Sequence, residues 1–191
     1  MKVAFGLKAH SGWAALVGVA ERDGEVTMTD RRRIELVDEI WQKQPYHAAE
    51  HLRAEAARDT VTKGIDAARK GAVRELRAAI ARASQQHHDV SACGVLVGNP
   101  MPDWSVDEIL AVHFRMHKAE GALFREVLLH AAKVCGLQPV AVPEKELDVD
   151  RGLTLKVAAL GRSAGPPWGK DQKEAARAAL IALKNRTVSR S

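Results

Sequence analysis

The sequence predicts an α/β domain: a mixed sheet of five strands, three antiparallel and then two parallel, flanked by helices. Three observations predict it. Short apolar runs broken by Gly-containing turns fill the first 36 residues, and apolar positions spaced by three and four take over from about residue 47. Two short, wholly apolar runs, Ala92–Val97 and Val140–Val142, then stand on either side of a long helical segment. Strands joined by a crossover of that length are parallel neighbours.

Residues 2–8 (KVAFGLK) and 13–20 (WAALVGVA) are separated by His10, Ser11 and Gly12, which suits two strands joined by a tight turn. Asp23-Gly24 marks a second turn, because both residues tolerate positive φ and favour a two-residue hairpin. Val26, Met28, Ile34 and Leu36 alternate as a third strand. Arg31, Arg32 and Arg33 interrupt it and suit an exposed sheet edge, where charge blocks unwanted pairing. From His47 to Ala83, Leu52, Ala56, Ile65, Ala68, Ala72, Leu76, Ile80 and Ala83 form the apolar stripe of an amphipathic helix. A continuous helix of that length would exceed ~50 Å, longer than a domain of this size, so a break is expected near Thr60–Gly64.

Ala92–Val97 (ACGVLV) ends at Gly98-Asn99-Pro100 and reads as a strand buried on both faces. Ser105 and Glu108 form an S-x-x-E capping box, opening a helix expected to run to about Cys135 and to stop at Gly136. Val140–Val142, between Pro139 and Pro143, is the fifth strand. A short helix over Leu153–Leu160 is expected to end at Gly161, followed by the loop Arg162–Trp168 (RSAGPPW) and a last helix from Lys170 to Lys184. One domain is expected over residues 1–184, with 185–191 a flexible basic tail.

The composition narrows the class. At 191 residues the chain can bury a core without a disulfide or structural metal. Cys93 and Cys135, 42 positions apart in apolar settings, lack zinc-site spacing and are expected to be reduced, buried small hydrophobes. No run approaches the ~20 apolar residues of a membrane span, and Lys8, His10 and the early glycines interrupt any signal-peptide core, so a cytoplasmic address is expected. The net charge of +5 is uneven: residues 151–191 hold nine Lys or Arg against Asp171 and Glu174. Such a segment either meets a polyanion through counterion release or is a solvated helix face with a basic end.

The order of three antiparallel strands, helix, strand, helix, strand and terminal helices resembles the ribonuclease H-like fold. The strand glycines and the segment PPWGKDQKEAARAALIAL make it most similar to the Holliday-junction resolvase branch. In that branch the first strand ends in an aspartate followed by a Gly-containing turn into the second. The final helix opens with acidic residues ahead of an Ala-rich apolar face. The matching stretches are GLKAHSGWAALVGV and WGKDQKEAARAALIAL. The resemblance implies phosphodiester cleavage by carboxylates converging on two divalent cations, Mg²⁺ or Mn²⁺, which activate water and neutralise developing charge.

The residues depart from that pattern. No Asp or Glu occurs between Met1 and Ala20, and the place of the first aspartate falls on Lys8, or on His10. The end of the central strand offers Gly98 and Asn99, and only Asp171 and Glu174 remain at the start of the last helix. An ammonium at the central position repels cations, and D-x-x-E spacing also suits an ordinary helix N-terminus.

Other groupings have a sharp and a plain reading each. Lys8-Ala9-His10-Ser11-Gly12, with Asn99 nearby, offers a phosphate backbone N–H groups, a cation and a hydroxyl, or is an ordinary turn. His113, His117 and Glu120 share a helix face, and His47 and His51 repeat the four-residue spacing. These are transition-metal ligands or, among eight histidines with the adjacent pair His87-His88, chance neighbours. Trp168 beside Lys170 either stacks a base or plugs its loop onto the core.

Combining Lys8 with the basic C-terminal segment gives a non-catalytic ribonuclease H-like binding or assembly module. It would need no cofactor and would contact nucleic acid through Lys170, Lys173, Arg177 and Lys184. The alternative is a divergent nuclease using Mg²⁺ or Mn²⁺, with Asp171 and Glu174 as catalytic acids and His10 beside them. A homo-oligomer pairing through the long Ala-rich helix is the third class.

Overall fold

The computed structural model describes residues 1–147 and 150–188, with side chains as far as Asn185. Strand β1 (Lys2–His10), β2 (Trp13–Arg22) and β3 (Glu25–Glu35) form an antiparallel meander, and β4 (Asp89–Val97) and β5 (Gln138–Pro143) add in parallel. The sheet order is β3-β2-β1-β4-β5, the predicted mixed five-stranded sheet. Both tight turns use the expected backbone: Gly12 has φ +83°, and Asp23 and Gly24 have φ +52° and +84°. The arginines 31–33 do not interrupt β3, which is a sheet edge and carries them in register opposite Val17, Leu16 and Ala15.

The helices are α1 (Pro45–Ala49), α2 (Ala54–Gln85), α3 (Val106–Leu110), α4 (His113–Val134), α5 (Arg151–Ala164) and α6 (Lys170–Val188). Four helix boundaries need correction. The long helix is unbroken at Thr60–Gly64 and runs 32 residues, about 48 Å. Its interruption lies earlier, at Glu50–Arg53, and Gly64 instead admits Pro45, which a Cβ there would meet at 2.5 Å. The helix opened by the Ser105–Glu108 capping box stops at Leu110, and α4 begins afresh at His113. Gly161 lies inside α5, where its missing side chain admits the Trp168 indole, and the helix ends instead at Gly165 with φ +65°. The last helix runs past the expected Lys184 to Val188, and 189–191 lie outside the described residues. Cys93 is buried and its thiol is pushed up to about 12 by burial, whereas Cys135 is half-buried. None of the described helices is long and apolar enough to cross a membrane.

Alternation along β1 assigns its two faces. Val3, Phe5 and Leu7 join Leu76 of α2 and Phe124 of α4 in the main core, each large side chain contributing ~1.5–3 kcal/mol through burial. Ala4, Gly6, Lys8 and His10 point the other way, toward α6. Ala4 meets Ala182, a Cβ on Gly6 would overlap the Ala175 carbonyl, Lys8 meets Glu174, and His10 meets Asp171. Helix α6 therefore descends antiparallel to β1, three or four helical residues matching each two-residue step of the strand. Its fully buried Ala175, Ala176, Ala178, Ala179 and Ala182, together with Gly6 and Gly94, let helix backbone approach sheet backbone. This close approach carries the acidic start of α6 to the carboxyl end of β1.

Candidate functional site

Four elements converge where β1, β4 and β5 end. The Lys8 ammonium stands 2.8 Å from Glu144 Oε1, just after β5, and 3.0 Å from Glu174 Oε2 on α6. Arg125 of α4 reaches the same Glu144 oxygen at 3.2 Å, and Lys170 lies 3.7 Å from Glu174 Oε1. Two strand spacings, about 9.6 Å, separate β1 from β5, so the long side chains of Lys8 and Glu144 are what close the gap. Between them β4 is followed directly by Gly98, where a Cβ would collide with the Arg125 guanidinium.

The Lys8 and Glu174 side chains are only 15% and 14% exposed, so this is a part-buried ionic network. Burial is the largest single effect on Lys8 and acts to lower its pKa. The hydrogen bond to Glu144, the close approach of Glu174 and both negative charges outweigh it and hold the ammonium above its ordinary range. Burial likewise acts to raise Glu144, but the hydrogen bond from Lys8 and the charges of Lys8, Arg125 and Lys170 bring it below the usual carboxylate range.

Two residues farther along β1, His10 Nε2 lies 3.1 Å from Asp171 Oδ2 without the angle of a hydrogen bond. The imidazole stacks on Trp13 at 4.1 Å between centroids, and the Arg33 guanidinium lies 4.0 Å from the same indole. Ser11 is exposed at the turn, while the Gly12 carbonyl accepts from Leu36 N–H at 2.8 Å, so the turn is held to the segment after β3. Asn99, exposed, lines an open cleft of about 510 Å³ with Gly98, Met101, Arg125, Glu126 and Glu144. Burial pushes the Glu126 carboxyl up, with Arg69 opposing.

The basic residues proposed from sequence do not form one patch. Lys170 belongs to the Lys8 network, whereas Lys173 and Arg177 line a second cleft of about 400 Å³ between α5 and α6, with Arg162, Thr154 and Trp168. Lys184 is exposed farther along α6. Trp168 is half-buried against the α5–α6 cluster, so its indole plugs the loop while also walling this cleft.

Among the described residues, one set of three or more potential ligands is close enough to share a metal ion: His47, His113 and His117. The acids around Lys8 form no such set. The helix face shared by His113 and His117 predicts Glu120 as a third ligand. It is instead buried, accepting from the N–H groups of Tyr46 and His47 at 3.1 Å each and pairing with His47 Nδ1 at 2.8 Å. His51 is not part of the group, and His87 turns the chain into β4 with φ +57°.

The sequence pattern points to Lys8, His10, Asp171 and Glu174 but singles out neither Glu144 nor Arg125. Both become visible once the sheet order puts the ends of β1, β4 and β5 side by side.

No protein-family model and no curated protein matches the sequence. Solved structures do match in fold. RuvC from T. thermophilus in complex with a Holliday junction substrate superimposes with a TM-score of 0.53 at 10% identity, covering 98% of this chain and 96% of that one. A Thermus thermophilus RuvC structure gives 0.50 at 11% identity over the same shares. The chain thus has the resolvase-like, ribonuclease H-like fold that its element order predicts.

Proposed function

We propose that this chain is a ribonuclease H-like nucleic-acid-binding module that does not hydrolyse phosphodiesters. The observation that carries the reading is Lys8, whose ammonium lies within 3.0 Å of both Glu144 and Glu174. Two-metal hydrolysis needs carboxylates free to hold cations on either side of the scissile phosphate. Here a covalently attached cation already stands between two of the acids, and a divalent ion entering there would meet its repulsion at a few ångströms. The residues present therefore do not fit a pair of Mg²⁺ or Mn²⁺ ions, and no hydrolytic step runs through them.

Binding is supported by the cleft between α5 and α6. Arg162, Lys173 and Arg177 beside Trp168 combine cations for phosphates with an indole on which a base can stack. The structural neighbour holding a Holliday junction makes branched DNA the first ligand to try. One observation favours the competing reading of a divalent-metal nuclease: Asp171, Glu174 and Glu144 all lie around the ends of β1 and β5. That reading requires Lys8 to leave its two partners.

Fluorescence anisotropy with labelled four-way junction, duplex and single-stranded DNA at low salt tests binding, and incubation with Mg²⁺ or Mn²⁺ tests cleavage. Binding without chelator-sensitive cleavage is the expected result. Absence of binding to all three DNAs and to RNA would remove the nucleic-acid role. Cleavage abolished by both chelator and Asp171→Asn would establish the nuclease.

A further inference from the structure

We propose that His47, His113 and His117 form a binding site for a divalent transition-metal ion, with Zn²⁺ the best-fitting occupant, on the face where α1 meets α4. The site is separate from the Lys8 network and stands whether or not the chain binds nucleic acid.

The local structure brings the ligands together from two directions. His113 and His117 open α4 at positions i and i+4, one above the other on the helix surface, and their Nε2 atoms are 3.1 Å apart. Two nitrogens each ~2.05 Å from a tetrahedral centre stand about 3.3 Å apart, so this pair already spans one edge of a zinc polyhedron. His47 arrives from α1, its ring centroid 4.7 Å from that of His117 and 5.4 Å from that of His113. A ligand nitrogen from each of the three lies within 4.8 Å of the others.

The surroundings orient these rings as metal sites do. Ligating imidazoles present one nitrogen to the ion and donate the other N–H to a carboxylate, which fixes the tautomer and raises basicity. His47 Nδ1 is 2.8 Å from Glu120 Oε2, leaving Nε2 as the open nitrogen, and His113 Nδ1 is 3.3 Å from Glu50 Oε1, leaving Nε2 directed at His117. Glu120 is the buried charged side chain among the described residues, at 5% exposure. Its carboxylate also accepts two backbone N–H groups at the start of α1 and so locks the segment carrying His47. His113 and His117 are exposed, so an ion can enter from solvent and keep a fourth, water-filled position. Three imidazole nitrogens select Zn²⁺, Co²⁺ or Ni²⁺ over Mg²⁺ or Ca²⁺, which prefer oxygen.

The test uses the full chain without a histidine tag, stripped with chelator, and titrated with ZnCl₂ by calorimetry and with CoCl₂ by visible absorption. We expect one Zn²⁺ per chain and a tetrahedral Co²⁺ band. Both signals are abolished by His117→Ala and by His113→Ala, whose exposed positions leave the fold intact by circular dichroism. His51→Ala, outside the group, leaves them unchanged. Glu120→Gln weakens Zn²⁺ binding ~10–100-fold without changing the stoichiometry, as loss of an orienting carboxylate does. Absence of stoichiometric binding, or binding that survives His117→Ala and His113→Ala, overturns the proposal.

Discussion

At the scale of single residues, Lys8 ties Glu144 and Glu174 into one network and leaves a signature in stability. Its raised pKa means that its contribution is fully present below its ordinary value of 10.5 and is lost as pH rises through the folded value. Glu144, whose pKa is lowered, contributes above its ordinary value of 4.5, and that stabilisation is lost as pH falls through its folded value. The network therefore stabilises across the window between those limits. Lys8→Met leaves two acids facing each other with only Arg125 and Lys170 near. Removing one partner of a fully buried pair costs 3–5 kcal/mol. Exposure of Glu144 reduces this, and about 1–3 kcal/mol is expected near neutral pH. Urea denaturation from acid to alkali should show the Lys8→Met deficit shrinking at both ends of the window. A deficit independent of pH would mean that Lys8 acts by packing alone. Lys8 was legible from sequence because it occupies the end of the first strand. Glu144 was not, because the pairing of β1, β4 and β5 brings it there across a separation of 136 positions.

At the scale of elements, two glycines in helices test whether close approach or propensity governs. Glycine in a helix interior costs about 1 kcal/mol relative to alanine. At Gly121 in α4 an added Cβ meets nothing within 4 Å, so Gly121→Ala should stabilise by about 0.5–1 kcal/mol. At Gly71 in α2 the same methyl would overlap the Leu36 carbonyl, a backbone atom that cannot move aside cheaply. Overpacking typically costs 1–3 kcal/mol and here exceeds the propensity gain, so Gly71→Ala should destabilise. Thermal denaturation of both variants checks the opposite signs, and stabilisation by Gly71→Ala would mean that the segment after β3 is not docked on α2. The same contrast explains which boundaries the sequence concealed. Helix length pointed to a break near Thr60–Gly64 and the glycine itself to an end at Gly161, because a lone glycine carries no record of what packs against it. Gly64 and Gly161 are both helical positions where another segment, Pro45 or Trp168, needs the space. The Asp23-Gly24 and Gly136 signals succeeded because positive φ is a local property.

At the scale of the whole molecule, the sheet order organises both faces and separates the basic residues into two groups with different surroundings. Strand and helix order was legible because hydrophobic period changes from two to nearly four along the chain. The division of the C-terminal cations was not, because Lys170 and Lys173 are neighbours in sequence but face different partners around α6. In the proposed binding mode Lys170 is opposed by Glu174, and the cations that line the α5–α6 cleft, Arg162, Lys173 and Arg177, meet the phosphates. Three phosphates neutralised on duplex DNA give a slope of about −2.7 for the logarithm of affinity against that of salt. Affinity should then drop about 40-fold between about 50 and about 200 mM salt. Lys173→Ala should lower the magnitude of the slope by about one while weakening binding similarly on all sequences. Lys170→Ala should leave the slope unchanged, because its charge is already opposed by Glu174. Anisotropy titrations at several salt concentrations measure both variants. A slope that responds to Lys170 and not to Lys173 would move the nucleic acid from the α5–α6 cleft to the carboxyl ends of the strands, over Lys8.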